Sequence, residues 1–536
     1  MKAGNPEIAH TSTSLAALFL AAVLLGSPAQ GATYEVGSGL SLETIGDVPW
    51  ESLAAGDLVL INWRSDPYNE KFVICAAGTE SEPIVIRGVP GPGGELPVID
   101  GRDATTRSEL NFWNEARGLV KIGGSNTPSD CHPEWIVVEN LDVRSARPPY
   151  SFTGRSGLED YARNAASIYI EDGDHIIIRN LIIHDSGNGI FGSSAASDVL
   201  IEGCHIYDNG IEDRIYEHNN YTEVNGIVFQ YNRFGPLRAG CLGNNLKDRS
   251  AGTVIRYNWI EDGNRQLDLV ESDHDEMVAL SSYATTFVYG NVLIEHDGEG
   301  NSQIVHYGGD GGDEAYYRKG TLHFFNNTLI STRSGNTTLM RLSTSDESAD
   351  VRNNILLVTE DGSRLAMSNE NGTMDLMNNW TKPGWVDSHG TLAGSVNDGG
   401  GAVTGSSPGF VDETGGDYHL EATSDCIHAG ADLAASVLPD HSLLQQYVVH
   451  RGTEPRPVDG ALDLGAFETC TTGDCTGSGD EVVEPAPELP PDATTDPSTD
   501  PLVDPSADAL DDPAADPGAD PDDGDESSGC GCSLVS

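Results

Sequence analysis

The stretch His175-Ile176-Ile177-Ile178-Arg179-Asn180-Leu181-Ile182-Ile183-His184-Asp185-Ser186-Gly187-Asn188-Gly189 alternates apolar and polar residues, passes an Asn, and resumes with a second apolar run. Alternation with a period of two puts successive side chains on opposite faces of a strand, so the segment reads as strand, corner, strand with one face buried. The pattern returns at 135–143, 199–210, 227–234, 254–263, 287–298, 322–331, 351–358 and 376–380. Its Asn, or the Gly in its place, falls at Asn140, Asn180, Gly203, Asn232, Asn258, Asn291, Asn327, Asn354 and Asn379. After Asn180 the gaps are 23, 29, 26, 33, 36, 27 and 25. Gaps of that size suit one turn of a coil made of about three short strands and their corners. Stacked coils pair each backbone donor with the next coil and line the Asn residues up as a ladder. Helical heptads are absent, and the irregular gaps with a single Asn mark per turn disfavour a propeller or a sandwich. The expectation is an all-β chain: a single-stranded right-handed parallel β-helix (solenoid) over residues 32–470. Nine or ten coils at about 4.8 Å each make a rod on the order of 45 Å long.

These marks resemble the right-handed parallel β-helix of the pectate-lyase-like superfamily. Two later stretches, Ser407-Pro408-Gly409-Phe410-Val411-Asp412 with Gly416-Asp417-Tyr418-His419-Leu420, and Arg456-Pro457-Val458-Asp459-Gly460 with Asp463-Leu464-Gly465-Ala466-Phe467-Glu468, resemble the closing segment of bacterial surface β-helix proteins. That resemblance implies a block preceding an anchoring tail, with its carboxylates engaged in corner and cap hydrogen bonds.

The two ends read differently. Residues 1–31 resemble a secretory signal: Lys2, an eleven-residue apolar run from Leu15 to Leu25, then Ala29 and Gly31 at the small-residue positions. The run is too short to span a bilayer, and no later stretch is long enough, so no transmembrane helix is expected in the mature form. From 471 to 528 there are 18 acidic residues, no Lys or Arg, and a recurring Asp-Pro step, which makes an extended, disordered spacer. Gly529-Cys530-Gly531-Cys532 opens the segment 529–536, which resembles the sorting tails of myxobacterial surface proteins and implies envelope attachment. Of the nine Cys, Cys204 and Cys241 read as buried small hydrophobes, and Cys470 and Cys475 are close enough to staple the body to the spacer.

The chain holds 84 acidic against 29 basic residues, a formal net charge of −55. The spacer accounts for 18 of those negative charges, leaving −37 on the coil. A nucleic-acid partner is excluded, because a binder must neutralise phosphates with Lys and Arg. An anionic sugar polymer demands a local basic patch or a bound cation. The richest chemistry lies between Tyr216 and Glu276. With Leu246 inward, Lys247 faces out and Arg249 follows; Leu267 and Leu269 flank an outward Asp268; Tyr221 falls beside Lys247 on the preceding coil, and His218 is near it.

β-Elimination from a uronate needs a base to take the proton next to the carboxylate and a cation to hold the charge that develops there. The strand ending in Lys247, followed by Val254-Ile255-Arg256-Tyr257-Asn258, resembles the lysine-bearing coil of polysaccharide lyases acting on alginate and dermatan. The resemblance implies Lys247 as base, Arg249 as the holder of substrate charge, Tyr221 or His218 assisting proton transfer, and Asp268 orienting Lys247. Those enzymes carry an Arg where this chain has Asp268; paired with Glu271, Asp268 would instead suit acid/base hydrolysis. His306 is a further candidate, and His184 and His205 are placed at repeated strand ends. Calcium is the expected ion, with oxygen ligands at Asp297 and Glu299 and at Asp310 and Asp313, each pair set among turn-forming Gly. The expected partner is a uronate-containing polysaccharide, handled by a monomer that lyses it; the alternative is a non-catalytic surface protein that binds glycan.

Overall fold

A computed structural model describes residues 31–129, 131–472 and 475. The expected leader over 1–31, the spacer over 471–528 and the tail over 529–536 lie outside the described residues, save positions 31, 471, 472 and 475. Among the described residues no helix is long and apolar enough to cross a membrane.

The chain winds as a right-handed parallel β-helix whose coils contribute in turn to three long sheets of thirteen, eleven and thirteen strands. One coil shows the logic. Asn225–Gln230 runs in the first sheet, Arg233–Phe234 in the second and Leu246–Asp248 in the third, before Ala251–Arg256 returns to the first. Inward residues such as Ile176, Ile178, Val199, Ile201, Ile227 and Phe229 join one continuous apolar core. Between the first and second sheets the chain turns through one residue of positive φ: Asn180, Gly203, Tyr231, Tyr257, Gly290, Asn326, Asn353 and Asn378. At Gly203 and Gly290 no Cβ opposes that conformation.

The next residue inward forms the ladder. The Nδ2 of Asn232, Asn258, Asn291, Asn327 and Asn354 each donates to the Oδ1 of the following ladder Asn at 2.9–3.1 Å, ending on Asn379. Three marks are corrected by one residue. Asn140, Asn180 and Gly203 occupy the positive-φ corner, and the ladder position beside them is filled by Leu141, Leu181 and Cys204. The backbone N–H of Cys204 donates to Asn232 Oδ1 at 2.9 Å, so the ladder ends there on a thiol residue. The register shows the effect: Glu202 pairs with Gln230, a step of 28 where the marks gave 29. The first sheet also holds more rungs than the marks counted, because it begins with the strands Thr33–Val36, Leu58–Asn62 and Ile84–Val89, ahead of the first mark.

After the last coil the closing segment folds back along the side of the rod. Phe410, Tyr418, Leu420, Tyr447 and Phe467 cover Trp259, Ile294, Ile355 and Trp380 on the second sheet, and Val437 and Leu443 cover Val254 and Tyr289 on the first. Its carboxylates bond within the block: Asp463 accepts from the N–H of His428 at 2.7 Å and of Thr469 at 2.8 Å, and Glu468 pairs with Arg456 at 2.9 Å. Disulfides join Cys470 to Cys475 and, unmarked in the sequence, Cys75 to Cys131. Cys204 is buried, whereas Cys241 is half-buried in a loop rather than on a strand. Along these coils the closing segment does not cover the outer face of the third sheet.

Candidate functional site

Parallel register carries one outward column down the third sheet: Lys121, Tyr169, Phe191, Tyr221, Lys247, Asp268, His306 and Arg341 pair in sequence, one per coil. The strands here are short, and Leu246, Leu267 and Val305 point into the core, which forces the next residue of each to face out. Tyr169 and Phe191 meet edge-on at 5.2 Å, and Phe191 and Tyr221 at 5.3 Å. Past Lys121, aromatic rings therefore fill the middle of the column and charges its C-terminal end.

All five residues chosen from the sequence come together. Lys247 Nζ donates to Asp268 Oδ2 and to Asp310 Oδ2, each at 2.8 Å. Asn244 Nδ2 donates to the same Asp268 oxygen at 2.7 Å, and His306 Nδ1 lies 2.9 Å from Asp268 Oδ1. Arg249 Nη1 donates to the Glu271 carbonyl at 2.9 Å and to Asp273 at 3.0 Å, and Nη2 reaches Asp310 Oδ1 at 3.5 Å. Both cations lie by the Tyr221 ring, Lys247 Nζ at 5.9 Å and Arg249 Cζ at 5.8 Å from its centroid. His218 meets Tyr221 edge-on at 5.4 Å, and its Nδ1 accepts the backbone N–H of Asn244 at 2.9 Å.

This geometry corrects the role of Lys247. Burial alone would push its ammonium down, but Asp268 and Asp310 outweigh burial and hold it protonated above the ordinary lysine value. A base needs a lone pair, so Lys247 is a fixed cation. Asp268 is its counterpart: burial would raise it, while Lys247 and the His306 hydrogen bond hold it well below the usual carboxylate range. His306 is kept neutral by burial against the pull of Asp268. Its Nε2 lies 2.9 Å from Ser343 Oγ, which is itself engaged by the N–H and C=O of Gly309.

Glu271 does not partner Asp268. Its carboxylate accepts the backbone N–H groups of Asp310, at 2.8 Å, and Gly311. Burial and the charge of Asp310 push it up. The calcium set does not assemble either. Asp310 is taken by two cations, Asp297 Oδ1 accepts Ser334 N and Oγ at 2.8 and 3.0 Å, and Asp313 Oδ1 accepts Ala315 N at 3.1 Å. Among the described residues no three His, Cys, Asp or Glu side chains converge to hold a metal, so these residues do not fit a resident calcium. His184 and His205 stack on Tyr207 at the second sheet, away from the column.

Asn244 and the true place of Asp310 are what sequence reasoning missed. His306, a further candidate there, faces the site because its flanking residues Val305 and Tyr307 both turn inward.

His218 supplies a pH test. Burial, then the Lys247 charge, push its ring down to about 3, so it stays neutral through the range where a free imidazole titrates. The unfolded chain takes up that proton near the ordinary value and the folded chain does not. Stability through this residue is therefore present above about pH 6.5 and falls as pH drops toward 3. Its Cε1–H resonance is expected to hold its neutral shift from pH 8 to 5; a midpoint near 6.5 would contradict the buried placement.

A family model described as a right handed beta helix region matches residues 134–329. No curated protein sequence matches the chain. Among solved structures it is similar to the pectate lyase Pel9A, at 13% identity and a TM-score of 0.45, over 82% of this chain and 97% of that one. It is also similar to an alginate lyase from Paenibacillus sp. str. FPU-7, at 14% identity and a TM-score of 0.36, over 64% of this chain and 93% of that one. A third is a lacto-N-biosidase from Eubacterium ramulus, at 14% identity and a TM-score of 0.35, over 69% and 67%. These are likenesses of outline, and no residue role is taken from them.

Proposed function

We propose that the protein is an exported β-helix that cleaves a uronate-containing polysaccharide by β-elimination on the outer face of its third sheet. The observation that supports this is the column, in which a tyrosine stands beside a lysine held as a cation, with Arg249 next to both. The sugar chain runs along the column, with Phe191 as a stacking surface on the N-terminal side. Tyr221, acting as its phenolate, takes the proton next to the uronate carboxylate and becomes the phenol, while Lys247 and Arg249 hold the negative charge that builds on the carboxylate oxygens. The bond to the leaving glycosidic oxygen breaks as the ring double bond forms, and the Tyr221 phenol returns the proton to that oxygen. Asp268, fixed by Asn244 and His306, keeps Lys247 in position.

His218 donates rather than accepts on the side away from Asn244, because its Nδ1 lone pair is already used. No step runs through calcium. Export through 1–31 and tethering through 471–536 complete the reading: the acidic spacer would stand the coil away from the envelope.

The burial and mutual pairing of Lys247, Asp268 and His306 favour a second reading, a non-catalytic glycan-binding surface. Incubating residues 32–536 with alginate, polygalacturonate and glycosaminoglycans, with and without EDTA, separates the two. Lyase action is expected to give ultraviolet-absorbing unsaturated ends at a rate EDTA leaves unchanged. Retention of a glycan with no such product would support the second reading, and loss of product with EDTA would reinstate a metal.

A further inference from the structure

Lys247 and Arg249 are both sealed. Their side chains are 6% and 1% exposed, so a substrate carboxylate reaches them only if one of their present partners moves. Asp268 is not that partner: it is 1% exposed, sits on the strand Leu267–Leu269, and is pinned by Asn244 and His306. Asp273 is exposed and pairs with Arg249 at 3.0 Å. Asp310 remains. It is 20% exposed and addresses both cations, one oxygen to each: Oδ2 to Lys247 Nζ at 2.8 Å and Oδ1 to Arg249 Nη2 at 3.5 Å. A hexuronate carboxylate would present its two oxygens to the pair in the same way.

The backbone around Asp310 is rich in glycine. It lies in Gly308-Gly309-Asp310-Gly311-Gly312, with positive φ at Gly308 and Gly312. Glycine gives such a segment conformations that other residues lack. The clasp on it is a carboxylate, Glu271, holding the N–H groups of Asp310 and Gly311, so one negative group retains a loop that carries another.

We propose that Lys247 and Arg249 form the carboxylate subsite for a hexuronate unit, and that Asp310 occupies this subsite in the resting chain until the substrate carboxylate displaces it. The inference rests on the uronate reading above and adds its selectivity. A neutral sugar has nothing to exchange for Asp310, whereas a uronate replaces one carboxylate by another and leaves both cations satisfied.

The test uses the mature chain 32–536, with sodium galacturonate and galactose as probes by titration calorimetry and a uronate polymer for kinetics. Asp310→Asn keeps the shape and removes the competing charge, so galacturonate affinity is expected to rise at least about tenfold and KM to fall, with galactose unaffected. In the wild-type chain, which does not depend on any variant folding, saturating galacturonate is expected to speed hydrogen exchange at the amides of 308–313. Weaker or unchanged galacturonate binding in Asp310→Asn, or slower exchange in the wild type, would overturn the displacement. If the wild type cleaves a uronate polymer while Asp310→Asn binds galacturonate less well, the inference falls and the lyase reading stands. If neither protein binds galacturonate, both fall together.

Discussion

Lys247→Met is expected to lower the rate of uronate cleavage by about 10²–10³-fold, the usual cost of removing one charge-stabilising donor from a reacting centre. Methionine fills much of the space and cannot hold the developing carboxylate charge. The same change leaves Asp268 buried opposite an apolar side chain, with His306 and Asn244 as its remaining partners. Breaking a buried pair from one side costs about 3–5 kcal/mol, so the single variant is also expected to be less stable. Loss of rate and loss of fold must therefore be separated.

The double variant Lys247→Met/Asp268→Asn does this. Asn at 268 accepts from His306 and needs no counter-charge, so stability measured by denaturant unfolding is expected to recover part of the way. The rate is not expected to recover, because the cation is still missing. Recovery of the rate with stability would mean that Lys247 acts through folding alone. A Lys247→Met protein that cleaves at the wild-type rate would remove the reaction centre from this column altogether.

Which parts of this site can be read in the residue string follows from how far apart the interacting groups lie. Tyr221, Lys247 and Asp268 sit on strands of three residues, and apolar neighbours at Leu246, Leu267 and Leu269 set which residue faces out, so alternation alone aligns them. The Asn ladder is legible for the same reason, being one residue repeated at one place in each coil. Its first three marks slip because Asn and Gly also serve the positive-φ corner one residue earlier, and the two positions look alike in a string. The second polar row, from Asn209 through Asn219 to Asn245, was hidden because its members fall at irregular distances from the strands. The ionisation of Lys247 was legible only in part. It depends on Asp268, which alternation does align, and on Asp310, 63 residues further on in a loop whose path no periodicity describes.

The second large effect concerns Asp248, which faces inward immediately after Lys247. Its neighbours Lys247 and Arg249 carry the opposite charge, but alternation turns both away from it. Its partner is Arg318, 70 residues later and fully buried, whose Nη2 donates to Asp248 Oδ2 at 3.3 Å and to its carbonyl at 3.0 Å. Thr222 and Thr253 donate to the two oxygens of Asp248 at 2.8 and 2.6 Å. Arg318→Met would leave this carboxylate among hydroxyls in the core, and a loss of about 3–5 kcal/mol in unfolding free energy is expected. Asp248→Asn placed on top of Arg318→Met is expected to restore much of it, since the buried charge is then gone. The consequence reaches the outer face. Arg318 Nε also donates to the Val270 carbonyl at 2.6 Å, and its own N–H donates to Gly308 at 2.9 Å. Arg318 thus ties the ends of the strands bearing Lys247 and Asp268, through its side chain, to the root of the loop bearing Asp310, through its backbone. In the stability-restored double variant, galacturonate affinity is accordingly expected to differ from the wild type although no outward residue has changed. Wild-type affinity there would confine Arg318 to the core.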